Sequence, residues 1–268
     1  MKNFKITVEY DGTKYNGWQR QGNTKNTLQE RFENVLSKMC GRDVEIFASG
    51  RTDAGVHAEG QVANFKCDVN MSAEDVLMYL NRYLPEDVRV KDAMEMPERF
   101  HSRLNAVSKT YKYLIATKKP DVFRRKYIFF SDETVDVEKM KSAAEKLIGT
   151  HDFKGFSSVG KTKKSTVRTV NSIDIEEIDG IITVKINGSG FLYNMVRIIV
   201  GTLYEIGTGK KDESVIEKIF TSKVRENAGV TMPAYGLCLV DVQYEKNHSR
   251  TVIIRTVFFT FSFSPLPR

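Results

Sequence analysis

The chain has little cysteine, little histidine and no long apolar run. Its three cysteines, Cys40, Cys67 and Cys238, are odd in number and far apart, with no Cys-x-x-Cys pair. That spacing speaks against a disulfide framework or a zinc site and for a reducing compartment. The four histidines (His57, His101, His151, His248) are equally scattered, so no His/Cys cluster offers a metal its ligands at close spacing. Residues 1–12 contain no apolar core of the kind a secretory signal needs. The most apolar stretch, residues 252–263, is too short for a membrane span and is interrupted by Arg255. These absences predict a cytoplasmic protein with no metal and no membrane attachment.

What is present is ordinary for a globular protein. The chain has 268 residues, 41% hydrophobic and 28% charged, enough for one large domain or two small ones. Lys and Arg outnumber Asp and Glu by 41 to 34, a net charge of +7. The excess favours a polyanionic partner without requiring one.

Two halves show the same order of elements. In the first, the alternation from Phe4 to Tyr10 predicts a strand ended by Asp11-Gly12. Thr27-Leu-Gln-Glu30 has capping-box spacing, and Leu28, Phe32, Val35, Leu36 and Met39 recur at helical spacing. Strands are predicted over 44–48 and 61–65. A helix follows from Ser72-Ala-Glu-Asp75 until Pro85 breaks it, and 88–90 is a short strand. The second half repeats the pattern. It has a strand over 110–115, a helix over 136–148, and a hairpin, 173–178 and 181–186, around Asp179-Gly180. A very apolar helix over 191–206, a short helix over 212–220 and a strand over 237–244 complete it. The predicted fold is α+β: two tandem ferredoxin-like (β-α-β-β-α-β) units with antiparallel sheets packed around a central cleft. The expected boundaries are 1–105, 106–247 and an extension, 248–268. That extension is apolar, β-prone and low in charge, and no function is read from it.

The stretch Ala48-Ser-Gly-Arg-Thr-Asp-Ala-Gly-Val-His-Ala58 is the most informative. It lies between two predicted strands but is too long and too polar for a minimal hairpin. Gly50 and Gly55 allow tight turns and close approach of a partner. Arg51 beside Asp53 favours the ionised carboxylate, which could act as a nucleophile towards a sugar carbon. An isolated Asp-x-Gly loop is more often a plain turn in which Asp caps backbone amides.

Gly-Arg-Thr-Asp-Ala-Gly-Val-His resembles the signature loop of the TruA-type tRNA pseudouridine synthases. Further segments resemble that family in the same order: Tyr10-Asp-Gly-Thr-Lys-Tyr-Asn-Gly-Trp-Gln-Arg-Gln21, Phe100-His101, Ser108-Lys-Thr-Tyr-Lys-Tyr113, Gly149-Thr-His-Asp-Phe153, Phe191 to Gly201, and Pro233-Ala-Tyr-Gly-Leu237. The resemblance spans residues 3–246. It implies an isomerase that converts uridine to pseudouridine at positions 38 to 40 of the tRNA anticodon arm, without cofactor, as a homodimer sharing one tRNA.

By resemblance Asp53 is the nucleophile, and Arg51 helps expel the target base. Tyr111 stacks on the extruded uracil, Arg197 pairs with the catalytic carboxylate, and Leu237 lines the uracil pocket. Each has a plainer reading: a surface ion pair for Arg51, a core residue for Tyr111 and Leu237, snorkelling for Arg197. Tyr113 reads as core. Arg124, Arg125 and Lys126, and Lys161, Lys163, Lys164 and Arg168, are expected along the tRNA backbone, although any one could be a solvated loop residue. The competing function is a non-catalytic RNA-binding or tRNA-folding protein on the same scaffold, which would be expected to have lost Asp53.

Overall fold

The computed structural model describes residues 1–160 and 164–245. The first half opens with strand β1 (Lys2–Tyr10), whose alternate residues Phe4, Ile6, Val8 and Tyr10 are buried as the pleat requires. Helix α1 (Leu28–Cys40) starts at Thr27, whose side chain accepts from the Glu30 amide at 3.3 Å, a cap worth about 1 kcal/mol. The reciprocal half of the capping box is not made, because the Glu30 carboxylate faces Arg20 at 3.0 Å. Strands β2 (Ile46–Ala48) and β3 (His57–Cys67) follow. Helix α2 (Ala73–Tyr83) has its full Ser72/Asp75 capping box, and strand β4 (Val88–Met96) ends the half.

The second half runs β5 (Ala106–Ala116), β6 (Phe129–Phe130), α3 (Val137–Glu145), β7 (Gly149–Asp152), β8 (Val167–Ile178) and β9 (Ile181–Gly188). It ends with α4 (Met195–Gly207), α5 (Val215–Ser222) and β10 (Leu237–Tyr244). The β8–β9 turn has Asp179 and Gly180 both at positive φ, 54° and 77°, as a primed hairpin turn demands.

The fold is α+β, with one mixed sheet in the order β4-β1-β3-β10-β5-β9-β8-β7, β2 on β3 and β6 on β5. The two halves therefore share a continuous sheet instead of facing each other as separate ones. The join is a short parallel pairing, Cys238 with His57 and Leu239 with Ala58. Each half would otherwise leave an edge of unpaired amides and carbonyls, and pairing β3 with β10 satisfies both. Gly60 permits the crossing: a Cβ there would lie 2.2 Å from the Val240 carbonyl oxygen.

The cysteines depart from the expectation of free thiols. Cys40 at the end of α1 and Cys67 at the end of β3 are disulfide-linked, with Cα atoms 6.4 Å apart. Their separation in sequence does not reveal that α1 and β3 finish side by side. Lys161, Lys163 and the 248–268 extension lie outside the described residues. Among the described residues no helix is long and apolar enough to cross a membrane, and no three His, Cys, Asp or Glu gather to hold a metal.

Candidate active site

The loop between β2 and β3 is braced from below by the segment after β1. Trp18 N–H donates to the Thr52 carbonyl at 3.0 Å, Gly55 N–H to the Tyr15 carbonyl at 3.2 Å, and the Tyr10 and Thr52 hydroxyls share a 2.8 Å hydrogen bond. Gly17, at φ 86°, makes the approach possible, since a Cβ there would sit 2.6 Å from the Thr52 carbonyl oxygen. Buried His57 anchors the far end: its Nδ1 accepts the Gly12 N–H at 3.0 Å and lies 3.2 Å from Asp11. Burial pushes the His57 pKa down, with Asp11 opposing. The accepted N–H makes Nδ1 the unprotonated nitrogen of the neutral ring. Sequence order puts the 10–21 segment near the front of the chain and gives no sign that it is the cradle of the loop.

Held in this way, Asp53 faces a cavity of about 670 Å³ that Arg51, Arg103, Lys109, Tyr111, Lys164, Phe191, Arg197 and Leu237 also line. Arg197 Nη1 lies 3.8 Å from Asp53 Oδ2. The guanidinium is aimed by two fixed acceptors, the Met232 carbonyl to its Nε at 2.6 Å and Asn194 Oδ1 to its Nη1 at 2.9 Å. Asn194 itself has left-handed backbone, φ 60°, at the start of α4. The Met232 carbonyl is in reach because α4 packs tightly on residues 229–232, where a Cβ on Gly201 would lie 1.9 Å from the Val230 oxygen. Asn194 and Met232 carry no chemical signature in sequence, so their aiming role is illegible there.

The electrostatics differ from the expectation based on Arg51. Arg51 is exposed and turns to Gln19, its Nε donating to Oε1 at 3.1 Å, and makes no ion pair with Asp53. The charge that steadies Asp53 comes from Arg197. Burial raises the Asp53 pKa above its ordinary 3.8, and Arg197 acts against that rise.

Tyr111, on β5, is buried against Phe191 edge to face, ring centres 5.3 Å apart. Its hydroxyl makes no hydrogen bond among the described residues, the residue lines the cavity, and burial raises its pKa. Leu237 is buried at the first position of β10 and pairs with Tyr113. Tyr113 is fully buried and donates to the Pro233 carbonyl at 2.9 Å, as a core residue should.

The basic residues divide. Lys164 lines the cavity, and Arg168 is close enough to lower the Lys109 pKa. Arg124, Arg125 and Lys126 are not brought to it. They form an exposed turn in which Arg124 pairs with Asp121 at 2.6 Å, next to Tyr127. Tyr127 lines a second cavity, of about 520 Å³, with Lys112 and Cys238. Because neighbours in a strand point to opposite faces, Lys112 and Tyr111, like Cys238 and Leu237, put the two cavities on opposite sides of the sheet.

Comparison with known proteins shows the family. A family model described as tRNA pseudouridine synthase matches residues 6–105 and 143–245. The tRNA pseudouridine synthase A 1 of Clostridium tetani (strain Massachusetts / E88) is 48% identical over 245 residues, 91% of this chain and 100% of the relative. The tRNA pseudouridine synthase A of Bacillus sp. (strain KSM-64) is 46% identical over the same extent, 91% and 100%. With both halves matched and nearly half the residues shared along the full length of such relatives, the chain belongs to the TruA-type tRNA pseudouridine synthase family, isomerases that convert uridine to pseudouridine.

Proposed function

We propose that this enzyme isomerises uridines at positions 38 to 40 of the tRNA anticodon stem-loop, with Asp53 as the nucleophile. The observation that carries the reading is Asp53 itself. It is a carboxylate set 3.8 Å from an aimed guanidinium, on a cavity ample for a nucleoside, next to a tyrosine hydroxyl with no hydrogen-bond partner among the described residues.

The chemistry follows from these groups. A uridine inside an ordered loop must leave its stack, at a cost of a few kcal/mol. Exposed Arg51, held by Gln19 at the cavity rim, is suited to fill the vacated space or take a phosphate. Tyr111 offers its ring to the extruded base, and such stacking is worth about 1–3 kcal/mol. Leu237 closes the apolar side. Ionised Asp53 then drives cleavage of the bond between uracil N1 and ribose C1′, and attack at the sugar and elimination both call for the same carboxylate. The base turns in the pocket, C5 bonds to C1′, the C5 proton departs, N1 takes up a proton and Asp53 is released. Nothing is oxidised or reduced, and no cofactor is required. One carboxylate suffices because uracil is both leaving group and returning nucleophile, unlike glycosidases that must bring in water with a second carboxylate.

The raised pKa of Tyr111 argues against a standing phenolate at neutral pH. Tyr111 acts instead through its ring and as a proton relay: as the base rejoins the sugar, its hydroxyl gives up its own proton towards uracil N1 and its oxygen takes the C5 proton, so the phenol is restored.

The strand orders β4-β1-β3 with β2, and β10-β5-β9-β8, support reading each half as a ferredoxin-like unit, divided near residue 105. Lys164 and Arg168, beside the catalytic cavity, are the backbone contacts favoured here. Arg124, Arg125 and Lys126, on the far side of the sheet, fit contacts with a distant part of the tRNA held by a homodimer. Work in the cytoplasm, where tRNA is matured, is part of the same proposal.

The test is pseudouridine mapping of tRNA treated with the wild type and with Asp53→Ala. The variant is expected to bind tRNA and form no pseudouridine. Modification at the wild-type rate would overturn the assignment of the nucleophile.

A further inference from the structure

We propose that Lys109, flanked by Arg103 and Arg168, forms a seat for the phosphodiester adjoining the extruded uridine. This rests on reading the cavity as a uridine-isomerising centre.

Lys109 lies two residues before Tyr111 on β5, so strand alternation puts both on the cavity face. Its Nζ donates to the Ser49 carbonyl at 2.7 Å, at the root of the loop that carries Arg51 and Asp53. Gly50 leaves the amino group its space, since a Cβ there would come within 2.9 Å of Nζ. An ammonium has three donors, and the described residues supply this one with a single acceptor.

The charges around it are of one sign. No carboxylate pairs with Lys109 among the described residues. Burial, with Arg103 and Arg168 adding repulsion, pushes its pKa down to about 8. The Arg168 guanidinium likewise meets only carbonyls among the described residues, those of Ser165 and Val167, at 3.0 and 2.6 Å. A cation withdrawn from water beside two others, with no anion, is not an arrangement that folding by itself favours. A phosphodiester supplies what is missing: a full negative charge and two unbridged oxygens for charge-assisted hydrogen bonds. A base edge would supply acceptors without the charge. Since Lys109 is also tied to Ser49, phosphate binding there would fix the backbone next to the loop that presents Asp53.

The experiment uses the full-length enzyme and anticodon-arm RNAs carrying one uncharged methylphosphonate, either 5′ or 3′ of the target uridine. Wild type, Lys109→Met and Lys109→Arg are compared for Kd and single-turnover rate. Neutralising one of the two phosphates is expected to weaken wild type about tenfold or more. Lys109→Met should lose a similar factor on unmodified RNA and less than about twofold more on the neutral one. Lys109→Arg should recover part of the phosphate dependence. If the two losses simply multiply at both positions, Lys109 only ties down Ser49 and the proposal fails. Should Lys109→Met melt well below wild type, Arg103→Met at its exposed position takes its place in the same cycle, and losses that multiply there overturn the proposal equally. Failure here would leave pseudouridine formation by wild type intact, whereas failure of the functional reading would show as no pseudouridine at all.

Discussion

Replacing Arg197 by Met should move the acid limb of the pH–rate profile for pseudouridine formation upward by about one to two units. The direction follows from two opposed influences on Asp53: burial raises its pKa and Arg197 lowers it. Without the guanidinium, desolvation acts unopposed, so the carboxylate takes its proton at higher pH and the rate falls sooner on acidification. The magnitude comes from the geometry. Two unit charges 3.8 Å apart attract by about 4 kcal/mol at an effective dielectric constant of about 20. The side chains keep 17% and 29% of their exposure, and fully exposed pairs are worth only about 0–1 kcal/mol. The pair therefore falls near 1.5–3 kcal/mol, which at about 1.4 kcal/mol per unit gives the stated shift. Single-turnover rates at saturating enzyme, from about pH 4.5 to 8, read it directly. The plateau will also fall, because the tie to the Met232 carbonyl is lost, but a lower plateau does not move the limb. Arg197→Lys, which keeps the charge, should shift the limb less. A limb that stays in place in a folded Arg197→Met enzyme would refute the pairing as the source of Asp53's acidity.

Tyr111→Phe keeps the ring and removes the hydroxyl, so tRNA affinity should be retained while turnover drops by roughly 10²–10⁴; unchanged turnover would remove the hydroxyl from the proton transfer. His57→Gln should flatten one window of the stability–pH curve. The folded-state pKa of His57 lies below 6.5, so as pH falls past 6.5 the unfolded chain takes up the proton first. Wild-type stability then declines, by at most about 1.4 kcal/mol per pH unit, until the folded pKa is passed. Urea melts between about pH 5 and 7.5 should show this slope in wild type and lose it in the variant; equal slopes would place the dependence elsewhere.

The structure also separates residues that lie together in sequence. Arg51 and Asp53 are two positions apart, a spacing that suggests shared charge, yet Gln19 captures the arginine at the rim while the aspartate turns inward. The two basic clusters read alike in sequence, yet Lys164 lines the Asp53 cavity while Arg124, Arg125 and Lys126 form an exposed turn away from it. His57, part of the signature loop, holds the loop from underneath and does not line the Asp53 cavity.

What sequence by itself determined here is what depends on near neighbours. The pleat of β1, the caps at Thr27 and Ser72 and the Asp179-Gly180 turn all rest on interactions within a few residues, and the signature loop was legible as a motif although distant residues hold its shape. Strands β4, β5 and β8 run longer than local propensity predicts, because ladder partners, which propensity does not record, extend them. Tertiary structure alone decided three things. The β3–β10 pairing merged two halves into one sheet, and the ends of α1 and β3 brought Cys40 to Cys67. The packing of α4 on residues 229–232 aimed Arg197 at Asp53 from the other half of the chain. Each depends on which distant surfaces bury each other, and that is set by the energy of the whole fold, not by any short run of residues.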